Sequence, residues 1–273
     1  MLELTRLKEE HPELAAAADL QIELVRLRRR VQGRIPLPSI TIDAPHLQQH
    51  LQEGRPVLRF ADIPINWSDF RFVLRETAAA LRRHEAIEEA EVRQIELLAR
   101  EAHALEPVVN RWFDATGLRT AASPPAASGD VETSGLDHVF TLAMRPFLVR
   151  CAEAAQSRVD FSGWNWGYCP VCGGEVEFAA ITPAADRLLV CGRCTARWKF
   201  DALTCPYCGN HDRSRITSFA SRDGMYRIAA CDVCTRYLKA HDGRRASRPM
   251  MLPVDTVATL PLDAAAMQKG YKA

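Results

Sequence analysis

Cys169-Pro170-Val171-Cys172-Gly173 returns further along the chain as Cys205-Pro206-Tyr207-Cys208-Gly209, and Cys191-Gly192-Arg193-Cys194-Thr195 returns as Cys231-Asp232-Val233-Cys234-Thr235. Two distinct patterns repeated in the same order indicate a tandem duplication. Each half reads C-x2-C, a spacer, then C-x2-C, with spacers of 18 and 22 residues and ten residues between the halves. That is the spacing of a four-cysteine metal site. The residue types have a physical reason. Proline fixes φ on the way into the turn, and glycine after the second cysteine can take positive φ on the way out. The tight turn also aims backbone N–H groups at the sulfurs, where they stabilise thiolate charge. The ten-residue gap makes natural halves, so the expected grouping is Cys169, Cys172, Cys191 and Cys194 at one metal and Cys205, Cys208, Cys231 and Cys234 at another, with an interleaved pairing as the alternative. Thr195 and Thr235 stand where a knuckle glycine is expected, so each is expected to lack one N–H···S contact.

All-cysteine tetrahedral sites suit zinc or iron, and the spacing does not choose between them. Both sites read as closed, with no open position for water or substrate, which argues against metal-assisted hydrolysis. Metals that only staple a small-cored module are the plainer alternative. The intervening runs 176–181, 187–190 and 226–230 read as brief strands, none long enough to bury much alone.

Outside the repeat the texture changes. Residues 1–160 contain one of the nine cysteines and five of the 14 glycines, whereas residues 161–250 contain eight of each. The first region reads as helical. Pro12 introduces a helix over 13–31, with Leu14, Ala17, Leu20, Leu24, Leu27 and Val31 recurring every three or four positions. Asp43 can cap a short helix through Leu51 that Gly54 ends, and Ser68 can open another over 70–81. Further helices are expected over 86–103, over 108–113 after Pro107, and over 136–155 across Pro146. The Ser/Pro/Ala/Gly-rich stretch 121–135 is expected to be a mobile loop.

The resulting division is a helical domain over 1–160, a first four-cysteine ribbon over 161–202, a second over 203–250, and a C-terminal tail over 251–273 that packs on the body. The fold class is α+β.

Composition excludes several functions. The chain is 273 residues long, 47% apolar and 25% charged, which excludes disorder as its main state. No run of about 18 apolar residues exists, so membrane insertion is not expected. Lys8-Glu9-Glu10 follow the N-terminus without an apolar stretch, so no secretory signal is expected. Net charge is +1. Residues 161–250 carry 13 basic and eight acidic side chains, but eight thiolates with two divalent ions would bring that region near neutrality. The basic excess therefore offsets metal sites rather than marking a nucleic-acid surface, and Arg213, Arg215, Arg222 and Arg227 lack aromatic interleaving.

Weaker signals read as structure. His46 and His50 share a helix face, but Leu47 replaces the glutamate of a metalloprotease motif, so they are expected to be helix surface. Cys151 sits in an apolar helix and reads as an inert buried thiol. Trp164, Trp166 and Tyr168 precede the first knuckle and are expected to pack the ribbon onto the helices. No catalytic constellation and no cofactor-cradling loop is evident, so the chain is not expected to be an enzyme.

The ordered set Gly167-Tyr168-Cys169-Pro170-Val171-Cys172-Gly173, Leu189-Val190-Cys191-Gly192-Arg193-Cys194 with Trp198, Cys205-Pro206-Tyr207-Cys208-Gly209, Cys231-Asp232-Val233-Cys234 with Tyr237-Leu238-Lys239, and the tail Asp255-Thr256-Val257-Ala258-Thr259-Leu260-Pro261-Leu262-Asp263 resembles the FdhE family. These are accessory proteins of respiratory formate dehydrogenases. The match covers residues 161–263, and the helical region with its Gly54-Arg55-Pro56 turn is compatible with it. The resemblance implies a cytoplasmic, non-catalytic maturation factor that binds the catalytic, molybdenum-containing subunit and supports its activation before export. It also implies rubredoxin-like iron at the two four-cysteine sites, with zinc as the alternative. A rubredoxin-like electron-transfer protein is the second reading, and a zinc-ribbon nucleic-acid module the third.

Overall fold

A computed structural model describes residues 1–39, 44–117 and 135–272. The chain is mixed helix and sheet, with an N-terminal helical region followed by the two cysteine ribbons.

The helical region contains α1 (Leu2–Glu10), α2 (Ala15–Gln32), α3 (Ala44–Glu53), α4 (Trp67–Arg83), α5 (Glu89–Arg100), α6 (Ala102–Gly117) and α7 (Gly135–Gln156). Apolar periodicity explains most of them. In α4, Phe70, Val73, Leu74, Ala78 and Leu81 fall on one buried stripe against α7, where Phe147 meets Phe70 edge-on. The cap of α4 corrects the sequence reading. Asn66, not Ser68, accepts the backbone N–H groups of Ser68 and Asp69 at 3.0 and 3.1 Å. Pro107 lies inside α6 rather than before it, because that helix begins at Ala102. The proposed cap Asp43 and nearly all of the 121–135 loop fall outside the described residues; Gly135 opens α7.

The ribbons form the second layer. Strands β1 (Val176–Ile181), β2 (Arg187–Cys191) and β3 (Arg197–Lys199) belong to the first, and β4 (Ile216–Ala220), β5 (Tyr226–Cys231) and β6 (Tyr237–Asp242) to the second. Rather than standing as separate modules, they merge into one six-stranded sheet ordered β3-β2-β1-β6-β5-β4. Each ribbon is an antiparallel meander, and the two join where β1 runs parallel to β6, with Ala179 opposite Ala240 and Ile181 opposite Asp242. Sharing a sheet solves the burial problem that each short ribbon has alone.

The two faces of this sheet meet different partners. On one face Trp198, Leu189, Ala179, Ala240 and Leu238 line up across the register and enter the same core as the helices. On the other, Phe178, Val190 and Tyr226 pack on Leu252, and Ile228, Ala230 and Tyr237 pack on Ala266. Those residues belong to α8 (Leu252–Ala258) and α9 (Leu260–Gln268), which the sequence reading treated only as a tail. Val254 and Val257 of α8 reach on to Leu4, Leu14 and Ile22, so the C-terminus ties the sheet to α1 and α2.

Candidate metal centres

Each knuckle is a short turn with the same backbone wiring. Cys169, Cys191, Cys205 and Cys231 donate their N–H groups to the carbonyls of Gly174, Ala196, Asn210 and Arg236 at 2.8–3.0 Å. Gly173 (φ 72°) and Gly209 (φ 75°) close the Pro-containing knuckles in the left-handed region. Thr195 (φ 58°) and Thr235 (φ 55°) adopt the same conformation without glycine's freedom. The loss of N–H···S contact expected at the threonine knuckles is not seen in the first ribbon. Arg193 and Cys194 N–H both point at Cys191 Sγ, at 3.3 and 3.5 Å, alongside Val171 N–H on Cys169 Sγ at 3.4 Å. The turn geometry supplies these donors whichever residue accepts the positive φ.

The knuckles bring the sulfurs together in the two groups expected. Cys169, Cys172, Cys191 and Cys194 form one cluster and Cys205, Cys208, Cys231 and Cys234 another, with all sulfurs of a cluster within 4.8 Å of one another. Across the first, Cys169 to Cys194 and Cys172 to Cys191 are both 3.5 Å; across the second, Cys205 to Cys234 is 3.8 Å and Cys208 to Cys231 is 3.7 Å. None forms a disulfide. A tetrahedral metal with sulfurs at about 2.3 Å requires S···S separations of about 3.8 Å, so both clusters could hold a metal ion. The donor set does not determine which metal.

Electrostatics within the first cluster fit a cation. Burial pushes the Cys169 and Cys194 thiols well up, whereas hydrogen bonds from Cys169, Cys191 and Cys194 hold Cys172 well down. Four sulfurs this close share little negative charge until a metal displaces their protons.

The two clusters differ in setting. All four sulfurs of the first belong to buried residues, and these cysteines are part of the main core. In the second, Cys208 and Cys234 are only partly buried. A pocket of about 290 Å³ borders it, with Cys205 and Cys231 in its wall beside Arg187, Leu203, Ile216 and Leu238. Burial raises the Cys205 thiol to about 11.

The aromatic run before the first knuckle joins ribbon to helices. Tyr168 hydroxyl donates to Gly54 carbonyl at 2.6 Å, Trp164 Nε1 to Tyr168 carbonyl at 2.8 Å, and Trp198 Nε1 to Trp166 carbonyl at 3.1 Å. Gly54 has φ 65°, and a Cβ there would lie 2.5 Å from Tyr168 Oη, so this approach requires glycine. The backbone N–H groups of Val57 and Leu58 also donate to the carbonyls of Pro170 and Val171, at 3.0 and 2.9 Å. Sequence reasoning did not single out this pairing, for it involves backbone atoms of an irregular segment.

Cys151 is fully buried, and burial raises its thiol to about 12, as an inert core cysteine requires. His46 is exposed on α3, and neither His46 nor His50 enters a metal-binding group among the described residues. No helix among them is long and apolar enough to cross a membrane.

No protein-family model matches the sequence. Over 273 residues the chain is 23% identical to the protein FdhE homolog of Aquifex aeolicus (strain VF5), covering 97% of this chain and 88% of that one. Its fold is similar to the crystal structure of the FdhE protein from Pseudomonas aeruginosa, with a TM-score of 0.64 and 18% identity, over 99% of this chain and 90% of that one. Sequence similarity along nearly the whole chain and the shared fold both support the FdhE family, the one its cysteine motifs resemble.

Proposed function

We propose that this chain is a maturation factor for respiratory formate dehydrogenase, acting in the cytoplasm on the catalytic subunit before export. The duplicated pair of closed four-cysteine clusters, carried on a fold shared with an FdhE protein, is the observation that supports this reading. Closed thiolate cages suit holding a surface in shape better than turning over a substrate. The eight cysteines serve as ligands to two metal ions, iron in the family's manner, with zinc the alternative for the same donor set. In this reading the two ribbons together dock on the client and the helices complete the cradle. Affinity capture with the formate dehydrogenase catalytic subunit tests it. Wild-type protein is expected to retain the subunit, and a combined Cys169→Ala and Cys205→Ala variant to lose it. Unchanged capture by that variant would remove the ribbons from the interface.

The partly exposed second cluster favours one further reading, electron transfer through iron. Visible absorption that bleaches on reduction supports it, and colourless protein with two zinc ions ends it.

A further inference from the structure

The duplication places Arg193 and Val233 at equivalent positions, inside the second knuckle of each ribbon. Their surroundings are opposite. Val233 is 50% exposed, whereas Arg193 is 5% exposed. The Arg193 guanidinium lies over the rings of Trp112 and Phe113 in α6, 4.2 and 4.8 Å from their centroids. Its Nε, Nη1 and Nη2 are all buried without a hydrogen-bond partner, and it makes no ion pair among the described residues. The neighbouring cation Arg145 is already paired with Glu177 at 3.1 Å.

A buried guanidinium without a counter-charge is costly. Aromatic faces return about 2 kcal/mol when desolvated, which does not balance it. The nearby negative charge is the cluster itself. A Cβ placed on Gly174 would touch both Arg193 Cδ (2.7 Å) and Cys191 Sγ (3.1 Å), so the arginine stem and that sulfur lie side by side over a residue with no side chain. Four thiolates around a divalent ion leave a net charge of −2, and around a trivalent ion −1. In a buried site that excess needs an internal cation; at the second cluster, water reaches the knuckle and supplies the screening.

We infer that Arg193 is the internal counter-charge of the first metal–thiolate centre, clamped by Trp112 and Phe113, and that it sets how tightly this centre keeps its metal. Arg193 acts as a positioning residue on the ligands, not as a ligand. The inference rests on the reading that the first cluster holds a metal.

The test uses the full-length protein loaded anaerobically with cobalt(II), whose thiolate charge-transfer bands report binding. The metal is withdrawn by a graded chelator. Cysteines freed at each step are alkylated and identified by mass spectrometry, so the two clusters are read separately. Arg193→Met is expected to weaken the first centre by about 10–100-fold and leave the second unchanged, as loss of an outer-sphere partner does. Arg193→Lys keeps the charge and is expected to stay within about threefold of wild type, and Val233→Arg, in water, to alter the second centre by less than about twofold. Wild-type affinity in Arg193→Met, equal losses in the Met and Lys variants, or joint weakening of both centres would each overturn the inference. Where Arg193→Met does not accumulate, Arg193→Lys carries the test alone, and a loss of about tenfold in it is an overturning result. Failure of the metal reading looks different: wild-type Cys169, Cys172, Cys191 and Cys194 would then alkylate freely with cobalt present.

Discussion

The two ribbons descend from one pattern, yet one has been absorbed into the core and the other left at its edge. The first shares its hydrophobic cluster with α4, α6 and α7, and its four cysteines are buried. The second rests on the first through the parallel β1–β6 pairing and on the C-terminal helices, with two of its cysteines partly open to solvent. Equal ligand sets in unequal surroundings should have unequal consequences. The buried cluster is part of the main core, whereas the peripheral one is partly open to solvent.

The largest expected effect tests that division directly. Cys172→Ser removes a ligand from the buried centre and should forfeit a large share of the about 10–16 kcal/mol that a structural four-cysteine site can contribute. Helical and ribbon signals should then be lost together in a thermal melt. Cys208→Ser should leave the helical core folded and lower only the ribbon's protection in hydrogen exchange. Equal collapse in both variants would break the comparison.

A smaller effect separates the supports of the sheet's two faces. Asp255 in α8 is fully buried and accepts from Tyr226 hydroxyl (2.7 Å), Arg248 (2.6 Å) and Met251 N–H (2.6 Å). Asp255→Ala removes the carboxylate that Arg248 and Tyr226 share, leaving Arg248 with the Tyr226 hydroxyl and the Pro249 carbonyl, and should cost about 1–3 kcal/mol in denaturant unfolding. Hydrogen exchange should rise first in β5 and α8, before the first cluster's knuckles.

The smallest concerns acid. Hydrogen bonds from Arg244, with Arg227 adding to them, hold the Asp242 carboxyl well below the usual carboxylate range. A depressed carboxyl stabilises the fold above the ordinary value near pH 4, and that contribution fades as pH falls below it. Both arginines are about 40% exposed, so water screens them and the contribution at pH 7 is about 1 kcal/mol. Asp242→Asn should lower the melting temperature at pH 7 and flatten its fall between pH 5 and about 3.

Much of this contrast was hidden in the sequence while its ingredients were plain. The four knuckles, their grouping and the strands β1, β2 and β5 were legible, since a cysteine pair with its Pro, Gly and spacing is a local signal. The helices α2, α4 and α7 were legible from their apolar stripes. What could not be read was long-range. The fusion of two ribbons into one sheet depends on the register Ala179–Ala240, which no periodicity encodes. The edge strand β4, with Ser218 and Ala220 exposed, lacks the apolar alternation that marks a strand. Helices α8 and α9 begin with a proline near each N-terminus and read as tail, because their apolar residues are divided between the sheet and α1–α2. The contrast between Arg193 and Val233 was on the page as letters, but only the fold puts Trp112 and Phe113 over one of them.

On the proposed reading this chain carries two metal centres, one buried and one peripheral. Elemental analysis of anaerobically purified full-length protein, paired with cysteine-resolved alkylation, tests it most directly. Two metal ions per chain are expected, with Cys169, Cys172, Cys191 and Cys194 protected long after Cys205, Cys208, Cys231 and Cys234 become reactive under a chelator. A folded chain without metal, or one in which the second set outlasts the first, would contradict it.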